Sequence, residues 1–336
     1  MVDQAALAKR FPKSFTWGFG TSSYQIEGAT KEDGRGESIW DRFATIPGKT
    51  HNGEDGEPGT DSYHRWREDI AILKELGATA YRFSIAWPRI LPNGTGAVNQ
   101  KGLAWYQQFV DGLLEAGIEP FPTLYHWDLP QALQDRGGWP ARDTAKAFAD
   151  YAGIVLGALG DRVTRWSTLN EPLCSAWLGH LSGDMAPGIE DVQAAFSASH
   201  HLLLGHGMAV RAMRAAAPKI EVGMVLNVGP GIPATDSDAD REAVRRHDMT
   251  DSGWFHDPLY FGTYPQEAID FSGVKMPIES DDMKIISEKL DWHGLNYYFP
   301  AKIGDDPTGD GARTTWNHID GPKTDMGWGM NAGVMR

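Results

Sequence analysis

Cysteine is almost missing from this 336-residue chain: Cys174 is the only one, which excludes an internal disulfide and makes a reducing compartment the expected setting. No apolar stretch approaches the roughly 20 residues that cross a bilayer. The start MVDQAALAKR lacks the apolar core of a secretory leader, so a soluble, cytoplasmic protein is expected. Basic residues are in the minority, 31 Lys+Arg against 45 Asp+Glu, and a formal charge of -14 repels phosphate backbones and anionic lipid heads. Nucleic-acid and membrane partners are therefore not expected.

Cofactor signatures are scarce too. GFGTSS (18–23) lacks the third glycine of a dinucleotide fingerprint, and no acidic residue follows a second strand about 20 residues on. His126 has no second His or Cys at ligand spacing, which favours a hydrogen-bonding role. His200, His201 and His206 sit inside an apolar helical run where core packing explains them. Cys174 has no base in its local motif and reads as a small packed thiol. Neither a metal nor a cofactor is expected.

What is present fits one globular unit. Hydrophobic residues make up 41% and charged residues 23%, enough to bury a core, and the length suits a single α/β barrel over residues 1–336. Thirteen Trp offer flat faces for sugar rings, although large core residues account for most of that number. FTWGFG (15–20) reads as a first strand followed by a long polar loop. Tyr63, Trp66, Ile70 and Leu73 then recur at helical spacing, and Gly77 stops that helix. The cycle repeats with strands ATAYRFSIAW (78–87), IEPFPTLYH (118–126), VTRWSTLN (163–170), IEVGMVLNV (220–228) and LDWHGLNYY (290–298). Helices stand between them, around Leu103 to Leu113, from about Asp143 to Leu159, and through HHLLLGHGMAVRAM (200–213). The acidic stretch 235–248 reads as a solvated helix start. Such alternation predicts a parallel sheet, either doubly wound or closed as a TIM-type (β/α)8 barrel, and the barrel is preferred.

Polar residues gather at the C-terminal ends of these strands, where such folds place their sites. Strand three ends in Tyr125-His126-Trp127-Asp128, strand four in Asn170-Glu171-Pro172, and strand six in Asn296-Tyr297-Tyr298. Gln25 and Glu27 follow strand one, and Arg82 lies within strand two. Amides, an imidazole, aromatic faces and a carboxylic acid on one rim suit a neutral polyhydroxylated ligand. Taken alone, a Glu before a Pro is a helix-start residue or surface charge. Among aromatic residues it is poorly solvated, and a general acid becomes the better reading for Glu171.

Taken in order, FTWGFGTSSYQIEG, YRFSIAWPRI, TLYHWDLP, TLNEP, DMAPG and GLNYY resemble the motif series of family-1 glycoside hydrolases, and the likeness runs from Phe11 to about Trp328. The resemblance implies an eight-stranded barrel and a retaining mechanism on β-glucosides or oligosaccharides. It implies Glu171 as acid/base, with Asn170, Gln25 and His126 binding sugar hydroxyls and Asn296 and Tyr298 completing that pocket. Tyr298 and Arg82 would hold the nucleophile, Trp127 would line the sugar pocket, and Trp328 would stack on the leaving group's side. Glu at 171 also separates the chain from the plant myrosinases, which carry Gln there.

One part of the family pattern is missing. The nucleophile's TENG motif on strand seven does not occur, nor does the strand-eight sugar clamp, so about six of eight βα units are expected. Glu190, Glu221, Glu267 and Glu279 lie outside recognisable site motifs. The expectations that follow are an acid without its partner carboxylate, negligible hydrolysis by the chain alone, and open strand edges that aggregate or capture a complementing C-terminal segment. The competing readings are an inert truncated or non-catalytic sugar-binding product and, third, a nucleotide-dependent α/β enzyme.

Overall fold

A computed structural model describes residues 7, 9–309 and 312–335. The first strand, β1 (Gly18–Gly20), is shorter than the sequence pattern suggests, because only these three residues pair with the next strand. The polar segment after it is not one loop. It folds into short helices at Ser23–Ile26 and Ile39–Ala44, the second opened by a capping box between Ser38 and Asp41. Helix α1 (Ser62–Glu75) buries Tyr63, Trp66, Ile70 and Leu73, the residues at helical spacing.

In β2 (Ala80–Ser84) side chains alternate between faces. Tyr81 and Phe83 go outward, their rings 6.1 and 5.0 Å from Phe109 of helix α2 (Gln100–Glu115), while Arg82 between them turns to the inner face. Next come β3 (Glu119–Tyr125), α3 (Arg142–Leu159), β4 (Arg165–Asn170), α4 (Val192–Ala216) and β5 (Glu221–Val228). Tyr151 of α3 stacks on Trp87 at 4.9 Å and donates its hydroxyl to the carbonyls of Ile85 and Leu124, each at 3.0 Å. That bond satisfies a phenol which would be costly to bury unpaired. Trp87, Trp139, Trp166 and Trp254 are fully buried, so packing accounts for a good part of the indole content.

A strand β6 (Gly231–Pro233), helices α5 (Asp238–Asp248), α6 (Trp254–Phe261) and α7 (Asp282–Ile286), and β7 (Trp292–Tyr297) follow. The last elements are β8 (Ala301–Asp305) and β9 (Thr314–His318). The main sheet runs β1-β2-β3-β4-β5-β7, every neighbouring pair parallel. It curls: β1 and β7 stand at opposite margins, yet Phe19, Phe121 and Trp292 line one concave cavity of about 520 Å³. Phe121 and Trp292 touch across it with centroids 4.8 Å apart. An open doubly wound sheet does not bring its margins to a shared cavity, so the fold is barrel-like. Phe19 and Leu295 on the marginal strands are 48% and 46% exposed. A second sheet, β6-β8-β9, was not foreseen, because its strands are only three to five residues long.

Among the described residues, no helix is long and apolar enough to cross a membrane. The histidines of α4 are tied to protein partners: His200 to Asp282 at 2.9 Å and Tyr264 at 3.0 Å, His201 to the Trp139 carbonyl at 3.1 Å, and His206 to Thr168 at 2.7 Å. Arg142 holds the same Asp282 carboxylate, which fastens α7 against α3 and α4. That docking requires glycine at 207, where a Cβ would stand 1.9 Å from the Ile285 carbonyl oxygen. Gly207→Ala is expected to cost about 1–3 kcal/mol through overpacking. The check is the urea midpoint, and an unchanged midpoint would show that α7 does not dock as described.

Near β1, Glu27 and Arg89 form a separate buried ion pair. Arg89 Nε donates to Glu27 Oε2 at 3.0 Å, and Arg89 Nη2 donates to the Gly28 carbonyl at 3.3 Å. The Tyr106 hydroxyl donates to Glu27 Oε1, and the Arg89 guanidinium lies 4.1 Å over the Tyr63 ring.

Candidate active site

The site is built on two backbone positions that L-residues seldom occupy. Glu171, just past β4, has φ 46°, and Trp127, just past β3, has φ 80°. Such conformations cost on the order of 1–3 kcal/mol and persist only where the surroundings over-determine them. Here the Glu171 N–H donates to the Val225 carbonyl of β5 at 2.8 Å, and the Trp127 indole donates to the Asn170 carbonyl at 2.9 Å. The two turns are thus fixed to each other and to the sheet, and the Glu171 carboxyl is swung inward, leaving the residue 5% exposed.

Both carboxyl oxygens have donors. Asn296 Nδ2 donates to Glu171 Oε1, and the Cys174 thiol approaches Oε2 at 3.2 Å. Asn170 joins the other groups. Its Oδ1 accepts from Arg82 Nη2 at 2.6 Å and from Asn296 Nδ2 at 3.2 Å, and its Nδ2 donates to His126 Nε2 at 3.2 Å. Because Nε2 accepts, the ring proton sits on Nδ1, which is buried and has no protein partner among the described residues. Burial, aided by the neighbouring Arg82 charge, pushes His126 down to about 3, so the imidazole is neutral at ordinary pH.

Burial lowers the pKa of the Arg82 guanidinium, and the Glu171 charge opposes that fall. Burial also raises the Tyr298 phenol, and Glu171 adds to the effect. Behind Trp127, burial pushes the Asp128 carboxyl up to about 7 while the Ser23 hydroxyl donates to it at 2.7 Å. Tyr298 meets Trp328 edge-on at 5.4 Å, and Trp328 also lies 5.2 Å from Phe299.

Asn170, Glu171, Asn296, Arg82, His126 and Trp127 therefore form one connected cluster, with Tyr298 and Trp328 at its border. Gln25 makes no hydrogen bond to the cluster among the described residues: it is exposed in the Ser23–Ile26 helix, where its Oε1 accepts from the Ser22 hydroxyl at 2.7 Å. Three residues escaped the sequence reading. Thr123 accepts from Arg82 Nε at 3.1 Å, Cys174 touches Glu171, and Asn227 stands in register with Asn296, its Oδ1 without a partner among the described residues. Asn227 was findable, being the polar residue near the C-terminal end of an apolar strand, as Asn170 and Asn296 are.

The other candidate carboxylates are occupied or lie elsewhere. Glu221 at the start of β5 binds Arg165 at 2.9 Å, Glu267 binds Arg245 at 2.7 Å, Glu279 lies 3.3 Å from Arg142, and Glu190 is exposed. Among the described residues, no second carboxylate hydrogen-bonds to the Glu171 cluster. The arrangement provides one carboxyl for proton transfer, a separate cation, and neutral donors for hydroxyl groups.

The family model "Glycosyl hydrolase family 1" matches residues 7–335. A β-glucosidase from an Agrobacterium species is 48% identical over 99% of this chain and 73% of its own length. β-Glucosidase A from Thermotoga maritima is 48% identical over 95% of this chain and 72% of its own length. The virulence factor SghA from Agrobacterium tumefaciens superposes with TM-score 0.97 at 48% identity, covering 99% of this chain and 75% of that one. A complex of SghA with its substrate analogue salicin gives the same TM-score, 0.97. The family-1 β-glucosidase of T. maritima, a solved structure, gives TM-score 0.91 at 47% identity over 95% of this chain and 72% of that one.

Proposed function

This chain belongs to glycosyl hydrolase family 1, and from that premise we propose that it is a retaining β-glucosidase that acts on terminal β-linked glucosides and uses Glu171 as its acid/base. The observation that carries this reading is the burial of the Glu171 carboxyl between two protein donors, beside the neutral His126 imidazole and the Asn170 and Asn296 amides. In the first step Glu171 gives its proton to the glycosidic oxygen as the bond to the anomeric carbon breaks. In the second, its carboxylate takes a proton from the attacking water. The free Nδ1–H of His126, the Asn170 and Asn296 amides and Gln25 bind sugar hydroxyls. Trp127 walls the pocket, and Trp328 stacks on the leaving group's side.

A retaining reaction needs a second carboxylate about 5–5.5 Å from the first, acting as nucleophile. Arg82 and Tyr298 would hold that group, and it is not among the residues clustered at Glu171. We therefore expect the 336 residues alone to turn over an aryl β-glucoside negligibly. Supplying the C-terminal segment of the Agrobacterium relative should restore turnover. An activated 2-fluoro-glucoside that traps glycosyl-enzyme should leave the mass of the isolated chain unchanged. A covalent adduct on an Asp or Glu of this chain would reveal an internal nucleophile and overturn that expectation. Salicin binding with no turnover even after the C-terminal segment is supplied would instead favour the sugar-binding reading.

A further inference from the structure

Cys174 begins a π-helical turn, Cys174–Leu178, one turn beyond the strained Glu171. Its N–H donates to the Glu171 carbonyl at 3.0 Å, and its Sγ lies 3.2 Å from Glu171 Oε2. The two carboxyl oxygens thus face unlike partners. Asn296 presents an NH₂ group to Oε1, which can only donate. A thiol can do either: its S–H donates to a carboxylate, and after rotation its sulfur accepts from a carboxylic acid.

Resting on the acid/base reading of Glu171, we propose that Cys174 is a positioning residue that assigns the catalytic proton to Oε2. With Glu171 ionised, the S–H donates to Oε2 and Asn296 donates to Oε1. With Glu171 protonated, the proton cannot sit on Oε1 against the amide hydrogens, so it occupies Oε2 and the thiol turns to accept it. In the glycosylation step that proton leaves Oε2 for the glycosidic oxygen, and the S–H swings back to hold the new carboxylate. No atom is lost from the thiol, and no oxidant or reductant is needed. Burial first, and then the Glu171 charge, holds the thiol well above its ordinary range, so the S–H is retained throughout. The other ionisable groups facing this pair are Arg82 from β2, Tyr298 after β7, Asp251 from the turn after α5, and His126 through Asn170.

Because the chain has one cysteine, its S–H stretching band in the infrared reports Cys174 alone. The band is expected to lie at lower frequency when Glu171 is ionised and to move up as the carboxyl takes its proton. Glu171→Gln should abolish that movement. A band that stays fixed with pH in the parent chain, or that moves equally in Glu171→Gln, would overturn the assignment. This readout needs no turnover, so its failure is separable from failure of the Glu171 reading, which is decided by leaving-group dependence.

A second measurement uses the chain completed by the added segment. Loss of a donor to the carboxylate raises the acid's affinity for its proton. Cys174→Ala should therefore move the basic limb of kcat/KM upward by about 0.5–1 pH unit, and Cys174→Ser should bring it back. An unmoved limb in Cys174→Ala, or Ser behaving like Ala, would also overturn it.

Discussion

Glu171→Gln should lower kcat/KM for an alkyl β-glucoside by about 10²–10⁴-fold in the chain supplied with the C-terminal segment of the Agrobacterium relative, while sparing a dinitrophenyl β-glucoside much of that loss. An alkoxide leaving group cannot depart without a proton. A dinitrophenolate can, because its charge spreads over the ring and nitro groups. The difference between the two substrates isolates proton donation from everything else the side chain does, since Gln keeps the size of Glu and can still meet Asn296 through its carbonyl oxygen. Equal losses on both substrates would show that Glu171 supports the pocket without donating a proton. A small loss on both would remove it from the chemistry.

The largest effect on stability is expected at the pair Arg89 and Glu27. Their side chains are 0% and 6% exposed and 3.0 Å apart. Glu27→Gln leaves the guanidinium buried without its counter-charge, at an expected cost of about 3–5 kcal/mol in urea unfolding. Arg89→Met alone should cost a similar amount, because the carboxylate is then stranded beside Tyr106. Combining Glu27→Gln with Arg89→Met should cost clearly less than the two losses added together, since no buried charge remains unpaired. Additive losses would mean that the two groups are already screened from each other.

The sequence was most informative where one physical rule acted alone. Helical spacing alone identified the buried face of α1, since Tyr63, Trp66, Ile70 and Leu73 have no competing demand. The parallel strand order followed from βα alternation, because right-handed crossovers leave few arrangements. β6, β8 and β9 stayed hidden because such short strands gain their stability from pairing with each other, which no local pattern records. The site divides in the same way. Residues at strand ends, such as Asn170 and Asn296, could be placed from position. Gln25 could come only from a motif, because it lies in a short helix after β1 and not at a strand end. Cys174 read as packing because its motif holds no base. The partner that matters is Glu171, and the π-helical turn decides that the thiol reaches it.

The left-handed backbone at residue 171 also restricts which variants can be studied there. A β-branched replacement such as Val or Thr would pay for its Cβ before its chemistry was ever consulted, whereas Asn or Gly adopts that conformation readily. A saturation library at this codon would therefore be sorted twice, by folding yield and by turnover, and only yield-corrected rates would rank the substitutions by their acid strength.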